Sequence, residues 1–405
     1  MGASAWLVTC GDNGTVAGAT AVLDPDPSSV MIAIWSERPG VLVEAEATAG
    51  GMTVATGQVL LEGQLGALML TGLPPDTVHD VTVRIAGGVA GVHRVRTAPR
   101  ADDPRPVRVA ISADFDPSPA FASGLIDEVI AAEPEIVISI GDFPYTDNGP
   151  PAMTVAEYRE RHLELRTHPP VRALLASCGM YAIYDDHEVR NDWDGRTQID
   201  EPARYAAALQ VWDEFFPLRA PSREIRYRRW RWGAHLECFL LDCRRFRSAN
   251  NAVDDATKTM LGAAQHQWLI DGVTSSTATF KLILTSIPLD YGTGDDHWAS
   301  FTTERDAMFA ALVGTPGVLF ASGDQHWFAA QRHAFGIREL QIGPLGRGLG
   351  TPPPAVPNVL FRAVRFNAGL IDITGDQLTM TGLGADGERF YAETVSADDL
   401  TPRAP

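Results

Sequence analysis

Four short segments carry side chains able to bind metal ions or move protons, and each directly follows an apolar run of strand length. Val107–Ala113 runs into Asp114-Phe-Asp116, and Ile136–Ile140 into Gly141-Asp142-Phe-Pro-Tyr145. Tyr181–Tyr184 runs into Asp185-Asp186-His187-Glu188, and Val318–Ala321 into Ser322-Gly323-Asp324-Gln325-His326. In a mostly parallel sheet the carboxyl ends of the strands lie along one edge, where ligands bind. Four such ends bring at least four carboxylates and two histidines together. Carboxylates packed this closely repel one another, and cations are the usual remedy. Oxygen ligands mixed with imidazole suit Fe, Mn, Zn or Ca rather than a soft thiolate site. Glycine directly before Asp142 and Asp324 lets the backbone turn tightly as each strand ends. Any one of these segments alone reads as an ordinary turn or a solvated helix start; the four together, each at the end of a strand, point to one site.

The elements that must position them are legible in outline. Val107–Ala113 reads as a buried strand, Pro119–Glu133 as a helix and Glu135–Ile140 as a strand, a βαβ unit that implies adjacent parallel strands. Further strands are expected at Leu236–Leu241 and Leu282–Ile287, with amphipathic helices around Val155–Ala176, Pro202–Phe216 and Ala263–Asp271. Phe361–Val395 returns to alternating β patterning. Up to about Pro99 the chain instead reads as all-β, with short apolar segments at Val30–Trp35, Val41–Ala45, Gln58–Leu61, Ala67–Leu70, Val81–Ile85 and His93–Thr97. Leu73-Pro-Pro-Asp-Thr-Val-His79 resembles the fibronectin type III turn, with His79 where that family usually has its corner tyrosine, and Trp35 fits the buried tryptophan of such a sandwich. Ala98–Pro106, with three prolines, reads as a linker. The expected fold is thus an N-terminal β-sandwich over residues 1–99, followed by a layered α/β domain over residues 105–405.

Composition narrows the function classes. The 405 residues carry a net charge of −18, which repels phosphate backbones and argues against nucleic acid as a partner. It leaves room for a small phosphorylated substrate, provided metal cations supply local positive charge. No apolar run is long enough to span a membrane. Cys10, Cys178, Cys238 and Cys243 show neither zinc-site spacing nor a disulfide framework. The first residues lack a basic segment followed by an apolar stretch, so the expected location is the cytoplasm. Trp230, Trp232, Trp268 and Trp327 read as core or rim aromatics, and Arg226-Tyr-Arg-Arg229 as the exposed face of a strand. Gly343-Pro-Leu-Gly346-Arg347-Gly348-Leu-Gly350 reads as a loop over the site and, without lysine and a following helix, is no P-loop. A Gly-x-Ser-x-Gly elbow and a His-Glu-x-x-His segment are both absent from the sequence.

Taken in order, Gly141-Asp142-Phe-Pro-Tyr145, Tyr184-Asp185-Asp186-His187-Glu188-x-x-Asn191, Leu241-Asp242-x-Arg244-x-x-Arg247 and Ser322-Gly323-Asp324-x-His326 resemble the PhoD-like alkaline phosphatases of the calcineurin-like metallophosphoesterase superfamily. The resemblance runs from about Arg105 onward, and a β-sandwich ahead of the catalytic domain is also a family feature. It implies metal-dependent hydrolysis of phosphate esters by water activated at a dinuclear site, holding two or more metal ions such as Fe with Ca, Mn or Zn. Asp142 takes the place of the bridging carboxylate, and Tyr145 that of a phenolate on ferric iron. Asp186 stands for a second-metal ligand, and Asp324 and His326 for one ligand to each metal. His187 corresponds to the histidine beside the phosphoryl group, there to protonate the leaving oxygen; Asn191 and Arg244 are candidates for phosphoryl contact. The departure is at the first strand, where relatives often read Ser-Cys-Gln and this chain offers Asp114 or Asp116. A histidine expected after Leu282–Ile287 is replaced by Pro288-Leu-Asp290. A phosphodiesterase or phospholipase-D-like activity is the alternative within the enzyme class, and a metal-poor binding protein the alternative outside it.

Overall fold

A computed structural model describes residues 17–116, 124–219 and 225–404. The N-terminal strands are β1 (Gly18–Leu23), β2 (Ser29–Ser36), β3 (Val41–Ala49), β4 (Met52–Leu61), β5 (Leu65–Thr71), β6 (Val78–Ile85) and β7 (Gly88–Arg96). Alternation along β2 explains their packing. Val30, Ile32 and Ile34 face β3 and β6 in one apolar cluster, whereas Met31 and Ala33 point the other way, into a cluster formed with helices. Sheets β1-β2-β5 and β4-β3-β6-β7 thus form a two-layered β region.

Beyond residue 105 the elements alternate: β8 (Val107–Ser112), α1 (Leu125–Ala131), β9 (Ile136–Ser139), α2 (Val155–Thr167), α3 (Pro169–Ser177) and β10 (Gly179–Ala182). Then come α4 (Thr197–Asp200), α5 (Pro202–Phe215), β11 (Arg228–Trp232), β12 (Leu236–Leu240), α6 (Gly262–Ser275), β13 (Phe280–Leu284), α7 (Thr302–Ala311) and β14 (Val318–Ser322). The chain closes with β15 (Phe328–Arg332), β16 (Arg338–Gln341), β17 (Val359–Ala363), β18 (Asn367–Thr374), β19 (Gln377–Gly384) and β20 (Arg389–Ser396). These build a nine-stranded sheet in the order β20-β19-β18-β8-β9-β10-β1-β2-β5, and a seven-stranded sheet, β11-β12-β13-β14-β16-β15-β17. β8, β9 and β10 run parallel, as do β12, β13 and β14.

The two large sheets share a core. Val109, Ile111, Ile136, Ile138, Leu282, Leu284, Leu319 and Ala321 meet between them. Their sequence neighbours Ala110 and Val137 face the α1–α3 and α5 side, and Ile283 and Phe320 face α6 and α7. Strands buried on both faces read as continuous apolar runs, which is why these were legible.

Several expectations need correction. The helix expected over Val155–Ala176 is two helices, because Pro169 and Pro170 force His168 into an extended conformation (φ −62°, ψ 129°). The first part of the Pro119–Glu133 helix lies outside the described residues, as does Cys10. Trp35 is half-buried and packs toward the helices, away from the interior of the β region. Arg226 is 2% exposed and ion-paired to Asp213, so it does not belong to an exposed strand face. Cys178, Cys238 and Cys243 are buried free thiols. No described helix is long and apolar enough to cross a membrane.

Candidate metal centre

Where β8, β9 and β14 end, the chain turns within a few residues, and it does so through left-handed conformations. Asp114, Asp142, Asp324 and His326 have φ of 62°, 58°, 75° and 60°. Asp tolerates this region better than most residues, but each still costs free energy relative to extended backbone. Glycine is required where the loops meet. A Cβ on Gly141 would lie 2.4 Å from that of Asp185, and one on Gly343 would lie 2.2 Å from Asp114 Oδ2.

These turns bring the acids together. Asp114, Asp142 and His326 place ligand atoms within 4.8 Å of one another, as do Asp142, Asp186 and His187, and Asp185, Asp186 and Asp324. A fourth group joins Asp186 to Asp192 and Asp296. Asp142 and Asp186 each belong to more than one group. Asp114, Asp142, Asp185 and Asp186 are all at most 1% exposed. Burial, and then neighbouring acid charges, push Asp114, Asp142 and Asp324 well above the usual carboxylate range. Asp186 is held below it: burial opposes ionisation, but His187 and Arg244 favour the carboxylate more strongly. Among the described residues, both oxygens of Asp114, Oδ2 of Asp142 and of Asp185, and Oδ1 of Asp186 are buried with no hydrogen-bond donor. Unpaired buried charge is among the costliest features a fold can hold. Hard oxygens and imidazole nitrogen in this arrangement fit metal cations, which would satisfy the orphaned oxygens at once.

The rest of the site orients this set. Tyr145 is 3% exposed, and its hydroxyl lies 2.9 Å from His326 Nε2. Burial, with Asp142 and Asp114 nearby, raises the phenol well above its ordinary range. His326 Nδ1 bonds the Gly348 carbonyl at 2.8 Å, so Nδ1 carries the proton and Nε2 is left as a lone-pair donor. Burial pushes this imidazole down to about 4. His187 is its opposite. Nδ1 lies 2.6 Å from Asp147 Oδ1, whose other oxygen accepts the Asn191 amide at 2.8 Å. Burial works against protonation of His187, but Asp186 and Asp147 outweigh it and raise the imidazole to about 9. Glu188 braces two loops, accepting from the amides of Phe143 (2.6 Å) and Asp185 (3.0 Å).

Not every expected residue joins the cluster. Arg244 is fully buried beneath it, donating through Nε to Asp185 and through Nη1 to Asp296, both at 2.6 Å. Asp116 lies outside the metal-ligating groups and accepts from Arg347 and Asn148, each at 2.7 Å. Asn191 is exposed and reaches Asp147 through its backbone. Sequence reasoning missed Asp147, Asp192 and Asp296. Asp147 stands only two residues beyond Tyr145, a usable signal; Asp296 comes from the loop after β13, twelve residues past its last strand residue, and offers none.

The model of a family described as PhoD-like phosphatase matches residues 124–343. Alkaline phosphatase D of Bacillus subtilis (strain 168) is 26% identical over 240 residues, which are 47% of this chain and 41% of that protein. The match therefore spans less than half of the relative's length. A solved structure of PhoD superposes with a TM-score of 0.83 at 18% identity, covering 95% of this chain and 90% of the other. The purple acid phosphatase PPD1 of yellow lupin (Lupinus luteus) gives 0.72 at 13% identity, covering 96% and 77%. The fold is thus that of both structures, and the family model, which covers more than half of the chain including β9, β10 and β14 with their acidic turns, settles the kinship: this chain belongs to the PhoD-like phosphatase family.

Proposed function

We propose that the chain hydrolyses phosphate esters, with monoesters as the preferred class, using two or more metal ions held by Asp114, Asp142, Tyr145, Asp186, Asp324 and His326. One observation carries the reading: fully buried carboxylate oxygens of Asp114, Asp142 and Asp186 converge without donors at the ends of parallel strands. Bound cations supply Lewis acidity there, lowering the pKa of water and offsetting phosphoryl charge. Asp142 belongs to two of the ligand groups, which supports a bridging role. Asp114, which lies in a ligand group with Asp142 and His326, takes the place of the cysteine common in relatives, and Asp116 does not. Tyr145 beside His326 supports a phenolate ligand to iron, with Ca, Mn or Zn as companion.

His187 serves as the proton donor to the leaving oxygen. Asp147 holds its Nδ1, which fixes the ring and aims Nε2 away from the carboxylate. Residues 1–99 are assigned to a fibronectin type III-like region and residues 105–405 to the catalytic domain, with β1, β2 and β5 of the first continuing the nine-stranded sheet of the second. The connecting Arg105 ties the two, paired with Asp76 on one side and Glu135 on the other.

The test is hydrolysis of 4-nitrophenyl phosphate and bis(4-nitrophenyl) phosphate by metal-reconstituted and chelator-stripped protein, with elemental analysis of both. Asp142→Asn should lose metal and activity together, because one carboxylate serves more than one ion. Full metal occupancy with near-normal turnover in that variant would remove Asp142 from the bridge. A purified protein without metal that hydrolyses neither ester would favour the binding-protein reading, and faster diester hydrolysis would move the substrate class.

A further inference from the structure

A glycine-rich turn after β16 carries a cation to the rim of the acidic cluster. The amides of Gly346 and Arg347 donate to the Asp114 carbonyl at 3.0 and 3.1 Å, and the Gly348 carbonyl accepts from His326 Nδ1. The turn is therefore fastened to two residues of the cluster. From it the Arg347 guanidinium lies over the Tyr145 ring, 4.6 Å from the centroid, and Nη1 donates to Asp116 at 2.7 Å. The side chain is 32% exposed. Among the described residues, Nε and Nη2 of Arg347 have no hydrogen-bond partner. Arg244 and Arg247 differ in kind: both are buried, Arg244 paired with Asp185 and Asp296 and Arg247 with Asp296.

A chain of net charge −18, with a cluster of buried aspartates at this site, repels an approaching phosphate dianion. A guanidinium is planar, and the Nε/Nη2 edge left open here matches two oxygens of a phosphoryl group. We propose that Arg347 grips the outward oxygens of the phosphoryl group, and that Asp116 holds the guanidinium in position to do so. This rests on the phosphoester reading above. Asp116 then acts as a positioning residue.

The probe is inorganic phosphate, whose dissociation constant is measured by titration calorimetry on metal-reconstituted protein, alongside KM and kcat for 4-nitrophenyl phosphate. Arg347→Met keeps the alkyl stem against Tyr145 and removes the charge. It should weaken phosphate binding and raise KM by roughly 10- to 100-fold, the worth of a hydrogen bond to a charged group, with kcat, metal content and melting temperature near those of the unmodified protein. Arg347→Lys should recover part of the loss as a point charge without the fork. Asp116→Asn should keep phosphate affinity within a few-fold while loosening the selectivity for phosphate over sulfate. Phosphate affinity within twofold of normal in Arg347→Met would overturn the proposal and leave the phosphoesterase reading intact. An unmodified, metal-loaded protein that neither binds phosphate nor hydrolyses the ester would overturn both.

Discussion

Arg244→Met should destabilise the metal-free protein by several kcal/mol, and added metal should restore part of that loss. The guanidinium is completely buried, and its Nε and Nη1 each donate to a buried carboxylate at 2.6 Å. Its Nη2 lies 3.9 Å from both Asp186 and Asp324. Two hydrogen bonds between charged groups contribute about 1.5–3 kcal/mol each, so about 3–6 kcal/mol is at stake. Removing one partner of a buried ion pair costs about 3–5 kcal/mol by an independent route, because the other charge stays behind. Methionine fills much of the same volume, so a cavity adds little.

The sign of the metal effect follows from what remains. Without Arg244, the carboxylates of Asp185, Asp186, Asp296 and Asp324 face one another with less positive charge among them. Cations bound at the cluster supply the missing charge. Urea unfolding of chelator-treated and metal-reconstituted protein measures both quantities. The expected loss is about 3–5 kcal/mol without metal and clearly less with it. A double-mutant cycle with Asp185→Asn should return a coupling of about 1–3 kcal/mol. A metal-free loss below about 1 kcal/mol would refute the reasoning, since breaking a buried pair costs more. So would unchanged stability with a raised KM, which would return Arg244 to the substrate contact that its sequence motif suggested.

Two further outcomes are expected. His187→Ala should slow alkyl phosphate hydrolysis by roughly 10²–10⁴-fold and 4-nitrophenyl phosphate far less, because a good leaving group needs no proton; Asp147→Asn should follow the same pattern more weakly. Equal losses on both substrates would end the acid role, and accompanying metal depletion would make His187 a ligand, as its place beside Asp142 and Asp186 permits. The second concerns His162, buried at 0%, stacked on Phe215 at 4.8 Å and held well below its ordinary pKa by burial and then by Arg166. A depressed folded-state pKa means that the unfolded chain takes up the proton first, so stability is lost as pH falls below about 6.5. His162→Phe should remove up to about 2 kcal/mol of the loss between pH 7 and pH 5, read from urea midpoints; parallel curves for the two proteins would contradict this.

How much of this could be read from sequence depends on distance along the chain. The acids of β8, β9, β10 and β14 were legible because each follows a strand buried on both faces, whose apolar run is continuous. Sequence put Asp114 ahead of Asp116 as the substitute ligand, and the left-handed turn at Asp114 brings that residue, not Asp116, into a ligand group. Asp296 reaches the site from a loop whose path no local pattern encodes, whereas the glycine-rich loop that carries Arg347 was legible as one lying over the site. β1 pairs with β10 at Leu23 and Met180, a contact between residues far apart that periodicity cannot reveal. Arg226 misled for a related reason: it precedes β11 rather than lying on its exposed face, and Asp213 on α5 with the Tyr184 and Trp212 rings makes its burial tolerable.

The same features suggest that metal capacity and the stability of the metal-free chain oppose each other. Left-handed aspartates, donorless carboxylate oxygens and acids raised by mutual repulsion are each unfavourable without cations. Arg244 and the amides bonded to Glu188 relieve only the inner side of the cluster, where they buttress Asp185 and the β9 turn. The outer oxygens of Asp114 and Asp142 are left without donors, and it is these that a ligand field needs. Asp142→Asn should therefore do two opposite things at once: abolish the metal site, and make the chelator-stripped fold more resistant to urea, because a carboxyl whose ionisation the fold opposes is removed. A fold in which that carboxylate served only structure would lose stability instead.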